Sequence, residues 1–395
     1  MTATETSPVH LSYDVAICGA GPAGMALAAL LVKRGIPAQR IALIDAKTLA
    51  QASNDPRSLA LSWGSRQILE DIGAWPNAGT TINEIHVSRR GQFGRSMITS
   101  AEQKVPALGY VTRYGDIVKA LGGVCEAAGI ATQRPVRVDA LDEHDDAVVL
   151  TVTDLASGAV RSLHAAIVVQ AEGGLFNEQQ DRAQRRDYQQ TAIIAQVRSS
   201  RPLPHRAYER FTDEGPLALL PQGDVHPGEY SMVWCVRPAR AAQLLALDDG
   251  AFLAQLGDAF GDRLGRFIHA SPRLSFPLGL NADPDGGVAS ARTVAIGNAA
   301  QTLHPVAGQG LNLGLRDVTV LARLLAQGAT PPMLAQFAAA RRQDRTTTVR
   351  LTDTMARVFA NNSPAQALLG LSLAAIDVVG PARSVLAELM MYGRR

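Results

Sequence analysis

A glycine-rich segment near the N-terminus has the residue types and the spacing that bind a dinucleotide. Gly19, Gly21 and Gly24 follow a short apolar segment that ends at Cys18, and a run with the apolar spacing of a buried helix continues to Gly35. In a strand, turn and helix of this kind, the first glycine permits the tight turn, the second lets backbone approach a pyrophosphate, and the third lets the helix pack closely on the strand. The N–H groups of the helix N-terminus then face the phosphates. We therefore predict a dinucleotide site here.

An acidic residue at the end of the next strand strengthens this prediction. The apolar segment Ile41 to Ile44 leads into Asp45, which lies 21 residues after Gly24. At that distance a carboxylate can accept the hydroxyl groups of the ribose. The fingerprint is shared by NAD and FAD sites, so it leaves the choice of dinucleotide open. A glycine turn that serves only close packing is the alternative interpretation.

A second glycine-rich segment lies far along the chain. It reads GNAAQTLHPVAGQGLNLGLRDV over residues 297–318, and it follows a short apolar run. The pattern predicts another turn from strand to helix, whose helix N-terminal amides can face the pyrophosphate or the edge of the isoalloxazine ring. Two such turns on one cofactor favour FAD.

These motifs together resemble those of the flavin-dependent aromatic hydroxylases of the para-hydroxybenzoate hydroxylase fold, and within them the UbiH-like branch of ubiquinone biosynthesis. The resemblance covers nearly the whole chain, and segment 297–318 matches the second flavin motif of that branch almost residue for residue. The segment DPRSLALSWGSRQILEDIGAW over 55–75 resembles the arginine-bearing stretch of the family. Segments 188–197, 215–221 and 230–236 resemble strands of its substrate domain.

The resemblance implies a chemistry and a set of cofactor contacts. It implies an FAD-dependent monooxygenase that uses NADPH or NADH and O2, and that hydroxylates the ring of a polyprenylated phenol by way of a flavin hydroperoxide. Carried over to this chain, the FAD contacts fall on Gly19, Ala20, Gly21, Pro22, Ala23, Gly24, Asp45, Arg57, Gly297 and Asn298, with Pro305, Gly308, Gly310, Leu311 and Asn312 around the flavin ring.

Three positions differ from the wider family. Glu172 stands where an Asp-Gly pair is usual, in a motif that serves both FAD and the nicotinamide nucleotide, so this change concerns reduction of the flavin. Asn298 replaces an aspartate, as is common in the ubiquinone branch. Arg113 lies near a position where relatives carry arginine or glutamine, and it is predicted either to contact the cofactor or to be a surface residue at a helix start.

Hydroxylation of a phenol requires a dry, mostly apolar cavity beside the flavin. Leu219, Tyr230 and Trp234 lie in apolar strand-like segments and are predicted to contact the substrate ring, although core packing is the alternative for such residues. His304, which precedes Pro305, is a candidate acid or base for the phenol, or a residue that bonds to backbone. The sequence contains no HExxH motif, no other metal-ligand spacing and no convincing Ser/His/Asp order, which argues against a metalloenzyme or a hydrolase.

Composition narrows the class of protein. The chain has 395 residues, is 47% hydrophobic and has a net charge of +2, so disorder and a nucleic-acid partner are not expected. Three cysteines lie far apart with no CxxC pair, as in a reducing compartment. The N-terminus lacks the pattern of a signal peptide, and the apolar runs are too short to span a bilayer. We expect a cytoplasmic protein, or one bound peripherally to the inner face of the membrane.

The order of the segments predicts an α/β (α+β) architecture: a Rossmann-like FAD-binding domain, an inserted mixed β-sheet substrate domain and C-terminal helices. The FAD-binding domain is expected to be discontinuous, over 1–75, 105–180 and 279–330, with the substrate domain over 76–104 and 181–278. Residues 331–395 form the helical region. Its apolar part, Ala365 to Val379, with Arg383, Arg394 and Arg395 nearby, is predicted to lie on an anionic membrane, or to pack on the protein or on a second copy.

Other functions fit the same motifs. A flavin reductase of isoprenoids would act without oxygen, and a non-catalytic flavoprotein subunit of a quinone-biosynthesis complex would bind FAD but not reduce it, as Glu172 could indicate. A flavin halogenase is disfavoured because Trp63, Trp75 and Trp234 are isolated. A homo-oligomer and contacts with other ubiquinone-biosynthesis proteins are compatible with the leading hypothesis.

Overall fold

The computed structural model describes residues 13–76, 79–90, 95–173, 184–222, 228–282, 290–305, 308–360 and 380–393. The predicted membrane-docking segment 365–379 and Arg394 and Arg395 lie outside these residues, as does the side chain of Arg383.

The described residues form strands and helices in the following order. The strands are β1 (Tyr13–Cys18), β2 (Ile41–Ile44), β3 (Ser58–Ser62), β4 (Thr80–Ile82), β5 (Glu84–Arg89), β6 (Arg95–Thr99), β7 (Gly109–Arg113), β8 (Thr132–Gln133), β9 (Val136–Glu143), β10 (Val148–Asp154), β11 (Val160–Gln170), β12 (Gln184–Ser199), β13 (Arg206–Phe211), β14 (Pro216–Pro221), β15 (Glu229–Val236), β16 (Phe267–Ala270), β17 (Leu274–Ala282), β18 (Thr293–Ala295) and β19 (Gln301–Thr302). The α-helices are α1 (Pro22–Lys33), α2 (Leu49–Ser53), α3 (Trp63–Asp71), α4 (Ser100–Gln103), α5 (Tyr114–Ala127), α6 (Pro238–Ala246), α7 (Asp249–Phe260), α8 (Gln309–Leu325), α9 (Pro331–Ala360) and α10 (Gly380–Tyr392).

The first sheet carries both predicted glycine turns. Its strands follow the order β8-β2-β1-β11-β10-β9, and β18 pairs with β11. The strands β8, β2, β1, β11 and β18 are parallel, whereas β10 and β9 are antiparallel. Strands buried on both faces must be apolar throughout, and this explains the continuous apolar runs of β1 and β2. Helices α1, α5 and α8 cover one face, and their side chains form the largest core cluster.

The second sheet is longer and mostly antiparallel. Its strands follow the order β19-β17-β12-β15-β14-β13-β5-β6, and β16 pairs with β12. The inner side chains of β12, β14 and β15 form one core with α6 and α7. Strands β3, β7 and β4 form a small third sheet that packs against the second sheet through Leu220, Ile82 and Val111.

The predicted fold class is confirmed. The structure combines a mostly parallel sheet of the nucleotide-binding type, an inserted mixed sheet and C-terminal helices. The helix α10 packs on α3 and α4, and its Ala387 and Met391 are buried beside Ile98 and Leu108. No helix in the described part of the chain is long and apolar enough to cross a membrane.

Candidate functional site

The first glycine turn is closed by contacts that admit no side chain. Gly19 has a φ of +105°, and a Cβ at this position would lie 2.6 Å from the backbone of Ala171 and Glu172. A Cβ at Gly24 would lie 1.9 Å from the carbonyl oxygen of Gly19. The turn therefore draws the start of α1 against the ends of β1 and β11, which places the helix N-terminus at the carboxyl edge of the sheet.

The second glycine of the motif, Gly21, borders open space instead of packed backbone. Gly21 is the N-cap of α1, and no described side chain caps the helix there. Of the described atoms, only the hydroxyl oxygen of Tyr114 would contact a Cβ at Gly21, at 3.3 Å. A helix N-terminus with uncapped N–H groups beside open space binds an anion such as a pyrophosphate.

Asp45 stabilises the same turn. Its carboxylate accepts hydrogen bonds from the backbone N–H groups of Ala20 and Lys47, both at 2.7 Å. The guanidinium of Arg134 lies 3.9 Å away and donates a hydrogen bond to the carbonyl oxygen of Ala20. The carboxylate is thus held at the end of β2, where a ribose would meet it. Sequence reasoning missed Arg134, because a lone arginine before a proline carries no motif.

Arg57 is held in place by a neighbouring carboxylate. Its Nε and Nη2 donate to both carboxylate oxygens of Asp55, at 2.6 to 3.0 Å, and its guanidinium lies 5.2 Å from the centre of the Tyr114 ring. Burial would raise the pKa of Asp55, but the hydrogen bonds and the charge of Arg57 lower it below its ordinary value. Arg113 is exposed at the end of β7, immediately before α5, and pairs with Ser58 through its backbone.

The second glycine turn lies against the first. Gly297 has a φ of +58° and lies close to Ala23 of α1, because a Cβ there would be 3.4 Å from the Ala23 Cβ. Gly308, with a φ of +60°, is the N-cap of α8, and no described side chain caps this helix either. A Cβ at Gly310, in the first turn of α8, would lie 3.9 Å from Oδ1 of Asn298. Two uncapped helix N-termini therefore belong to one neighbourhood.

Glu172 lies between the two turns. It follows β11, whose neighbours on either side are β1 and β18, and Gly173 lies beside Asn298. Burial and the negative charge of Asp45 raise the pKa of Glu172 above its ordinary value, although the side chain keeps accessible surface. Glu172 thus lies at the carboxyl end of β11, at the edge of the sheet that carries both glycine turns.

Three of the predicted ring contacts differ in their surroundings. Leu311 is half-buried against the first core, and the carbonyl oxygen of Pro305 accepts a hydrogen bond from the Gly308 N–H at 3.0 Å. Asn312 is buried, and its amide bonds four groups: Nδ2 donates to the carbonyl oxygens of Ala60 and Gly308, while Oδ1 accepts from Ser62 N and Ser65 Oγ. The Asn312 side chain therefore fixes α8 to β3 and α3 and has no capacity left for a cofactor.

His304 is a buried, neutral side chain. Its Nε2 lies 2.9 Å from Oε1 of Gln190, and its ring meets that of Tyr188 edge to face at 5.3 Å. Burial lowers the pKa of His304 to about 3, so the imidazole does not hold a second proton near neutral pH. This environment favours a structural role over acid–base catalysis, and the hydrogen-bond partner shown is the Gln190 side chain.

The predicted substrate contacts need correction. Leu219, Tyr230 and Trp234 are buried on the face of the second sheet that α6 and α7 cover. The Tyr230 hydroxyl exchanges hydrogen bonds with the backbone of Leu203, and the Trp234 ring packs on Phe252. Successive side chains of a strand point to opposite faces, so the apolar residues that the sequence displays most clearly belong to the core and not to a cavity.

The opposite face of the second sheet contains residues that the sequence did not reveal. Gln196 and Gln222 both donate hydrogen bonds to Oγ of Ser58 on β3, at 3.4 and 2.7 Å. Gln190 on the same strand as Gln196 meets His304. This face therefore lies against the segments that carry the predicted flavin contacts. Isolated glutamines form no sequence pattern, so the sequence could not identify this face.

These features fit FAD. The N–H groups of two helix N-termini that no described side chain caps can bind a pyrophosphate, and close packing at Gly19 and Gly24 positions the first of them. The fixed carboxylate of Asp45 can accept hydrogen bonds from a ribose.

Comparisons with known proteins agree with this geometry. The model of the FAD binding domain family matches residues 12–352. The chain is similar to the ubiquinone hydroxylase UbiL of Rhodospirillum rubrum, with 33% identity over 96% of this chain and 90% of the relative. It is also similar to the 3-demethoxyubiquinol 3-hydroxylase of Escherichia coli, with 29% identity over 89% and 91% of the two chains.

A solved structure supports the fold. The p-nitrophenol 4-monooxygenase PnpA from Pseudomonas putida has a TM-score of 0.75 and 16% identity, and the match covers 98% of this chain and all of that one. The predicted family and the predicted FAD cofactor are confirmed. The chain belongs to the FAD-binding-domain family of flavin-dependent hydroxylases.

Proposed function

We propose that this protein hydroxylates the aromatic ring of a polyprenylated phenol in ubiquinone biosynthesis, with NADPH or NADH and O2 as co-substrates. The observation that carries the proposal is the junction, at the carboxyl edge of the first sheet, of two helix N-termini that no described side chain caps. This junction lies on the side of the second sheet that α6 and α7 do not cover. Both relatives described above are named as hydroxylases of ubiquinone-type rings, which supports the substrate class.

The residues divide into binding and orienting roles. The first turn, with Gly19 and Gly24, and Asp45 would hold the adenosine and pyrophosphate half of FAD. Gly297, Asn298 and the backbone N–H groups at the start of α8 would hold the flavin half. When bound, reduced FAD activates O2 for transfer of one oxygen atom to the ring. The protein orients the ring and excludes water.

Glu172 is the observation that favours a second candidate, a flavoprotein subunit that binds FAD without reducing it. Glu172 replaces the usual residue of a motif that in the resembling family serves the nicotinamide nucleotide, and burial together with the charge of Asp45 raises its pKa. A subunit of this kind would bind FAD but would not oxidise NADH or NADPH, with or without a phenol. A flavin reductase of isoprenoids would differ again, since it would turn over without O2.

One experiment tests the leading proposal in cells. The chain is expressed in bacterial strains that each lack one ring hydroxylase of ubiquinone synthesis, and the quinone intermediates are identified by mass spectrometry. We expect restoration of ubiquinone in one of the strains, which would also identify the ring position. The proposal would be contradicted if every strain, with the chain expressed, still accumulated the intermediate that its missing hydroxylase normally converts.

We further propose that the enzyme contacts the membrane peripherally, because a polyprenylated substrate partitions into the bilayer. The apolar segment 365–379, flanked by arginines, would rest at the interface. Co-sedimentation with anionic liposomes that weakens at high salt tests this association.

A further inference from the structure

The second sheet has one covered face and one face that stays partly accessible. We call the second the open face and define it by Ile194, Gln196, Glu209, Ala218, Leu220 and Val233. Each of these residues is half-buried, whereas Ile193, Tyr208, Leu217, Leu219 and Trp234 on the covered face are fully buried. Alternation along each strand, together with the register, places the six residues on the same side.

Hydrogen bonds join both ends of the open face to segments that carry the predicted flavin contacts. At one end, Gln196 and Gln222 bond to Ser58 of β3. At the other end, Gln190 bonds to His304, which lies within the second flavin motif. The row between these contacts keeps accessible surface, as expected of the wall of a cleft between the sheet and the flavin motifs.

One carboxyl group lies in this row. The register aligns Val87, Glu209, Ala218, Val233 and Ile194 across five neighbouring strands, so the row is apolar apart from Glu209. The Oε1 of Glu209 is shielded from solvent and has no hydrogen-bond partner among the described residues. A buried acceptor without a protein partner is costly, so a hydroxyl donor placed beside Oε1 would stabilise it.

We propose that Glu209 receives the phenolic hydroxyl of the substrate and accepts its proton, so that the ring is held by one polar contact within an apolar wall. This inference rests on the proposed function, because it takes the substrate to be a phenol. In this step, the O–H bond of the phenol breaks and the proton moves to the carboxylate of Glu209. The electron pair stays on the substrate oxygen and enriches the ring that is to be hydroxylated.

The surroundings of Glu209 suit this role. Burial raises the pKa of Glu209 to about 8, which brings it closer to the value of about 10 that is typical of phenols. Brønsted behaviour favours transfer between groups of similar pKa. The titratable and charged groups that alternation places on the open face include Arg89 on β5, Glu229 and Cys235 on β15, and Arg198 on β12. Burial and the charge of Glu209 raise the pKa of the Cys235 thiol. Arg210, the next residue along β13, lies on the covered face and bonds to Ser88.

The test compares Glu209→Gln and Glu209→Asp with the wild-type holoprotein. Glu126→Gln, an exposed position on α5, is the matched control. Two ligands are used: 2-geranylphenol and its O-methyl ether, which has no proton to donate. Binding is measured from the change in the flavin absorption spectrum, and turnover from the hydroxylated product over a range of pH.

We expect wild type to bind the phenol more tightly than the ether and its turnover to rise with pH, as the carboxyl ionises. Glu209→Gln should bind FAD normally, lose the preference for the phenol, turn over about tenfold or more slowly and lose the rise with pH. Glu209→Asp should recover part of the rise with pH, and Glu126→Gln should behave as wild type.

Two results would overturn the inference. One is a Glu209→Gln variant that keeps the phenol preference and the wild-type pH profile. The other is a loss of bound FAD in both Glu209 variants at unchanged phenol preference, which would indicate a structural role. If wild type hydroxylates no phenol, the proposed function fails separately, and the binding comparison between phenol and ether still decides whether Glu209 receives a hydroxyl.

Discussion

Substitution of Gly24 by alanine is the sharpest perturbation of the cofactor site. The added Cβ would lie 1.9 Å from the carbonyl oxygen of Gly19. Because non-bonded heavy atoms pack at about 3.5 Å, the helix and the turn must separate by roughly 1.5 Å. Overpacking of this kind costs about 1 to 3 kcal/mol of folding free energy. The same displacement moves the N-terminus of α1 away from the pyrophosphate, so we expect most of the FAD affinity to be lost.

The assay combines bound flavin with unfolding. Flavin is quantified from the absorption spectrum of the purified protein after titration with FAD, and the free energy of unfolding is measured with denaturant. Gly123→Ala is the matched control, because Gly123 lies in α5 and an added Cβ there meets nothing within 4 Å. This control should keep FAD and gain about 0.5 to 1 kcal/mol, since alanine is the better helix former. Gly24→Ala with wild-type FAD affinity would refute the assignment of this turn.

Further predictions concern four other positions. Glu172→Asp should change the rate at which NADPH reduces the bound flavin, measured by stopped-flow absorbance; a change below about twofold would show that this position does not limit reduction. His304→Gln should flatten the loss of stability on acidification from pH 7 towards 5, measured by denaturant unfolding, because the folded pKa of about 3 lies below the unfolded value of 6.5 and the unfolded state takes up the proton first. Equal slopes in variant and wild type would contradict the buried, neutral assignment. Asn312→Ala should lower the free energy of unfolding by about 1 to 3 kcal/mol, because it leaves buried backbone groups without partners; a smaller loss would show that these groups find other partners. Ending the chain at Ser363 should lower both flavin content and thermal stability, because α10 accepts hydrogen bonds from Ser62 and Gln309; retention of both would show that the tail does not stabilise the cofactor site.

The glycine turns could be predicted from sequence because their constraint is local. At Gly19 and Gly24 the backbone contacts that exclude a side chain involve the adjoining strands and helix, and the motif spacing encodes them. The fold class could also be predicted, because the order of strands and helices can be read from local sequence patterns. The helical region predicted over 331–395 contains α9 and α10.

The face of the second sheet that is proposed to contact the substrate could not be predicted from the sequence in this way. Alternation shows that a strand has two faces, but it does not tell which face a helix covers. Trp234 and Tyr230 were chosen for their rings, and the packing of α6 and α7 assigns them to the core. Glu209 stands between Tyr208 and Arg210 in a strand with mixed polarity, and only the register with β14 and β15 shows that it is the single carboxyl of an apolar row.

The proposed reaction uses FAD to insert one oxygen atom of O2 into a phenol. The most direct measurement incubates the purified holoprotein with NADPH, a short-chain prenylated phenol and isotopically labelled O2, and analyses the product by mass spectrometry. We predict a hydroxylated phenol that carries one labelled oxygen atom, formed only when NADPH or NADH is present. Oxidation of the nicotinamide without label in the phenol, or an unlabelled product, would contradict the account.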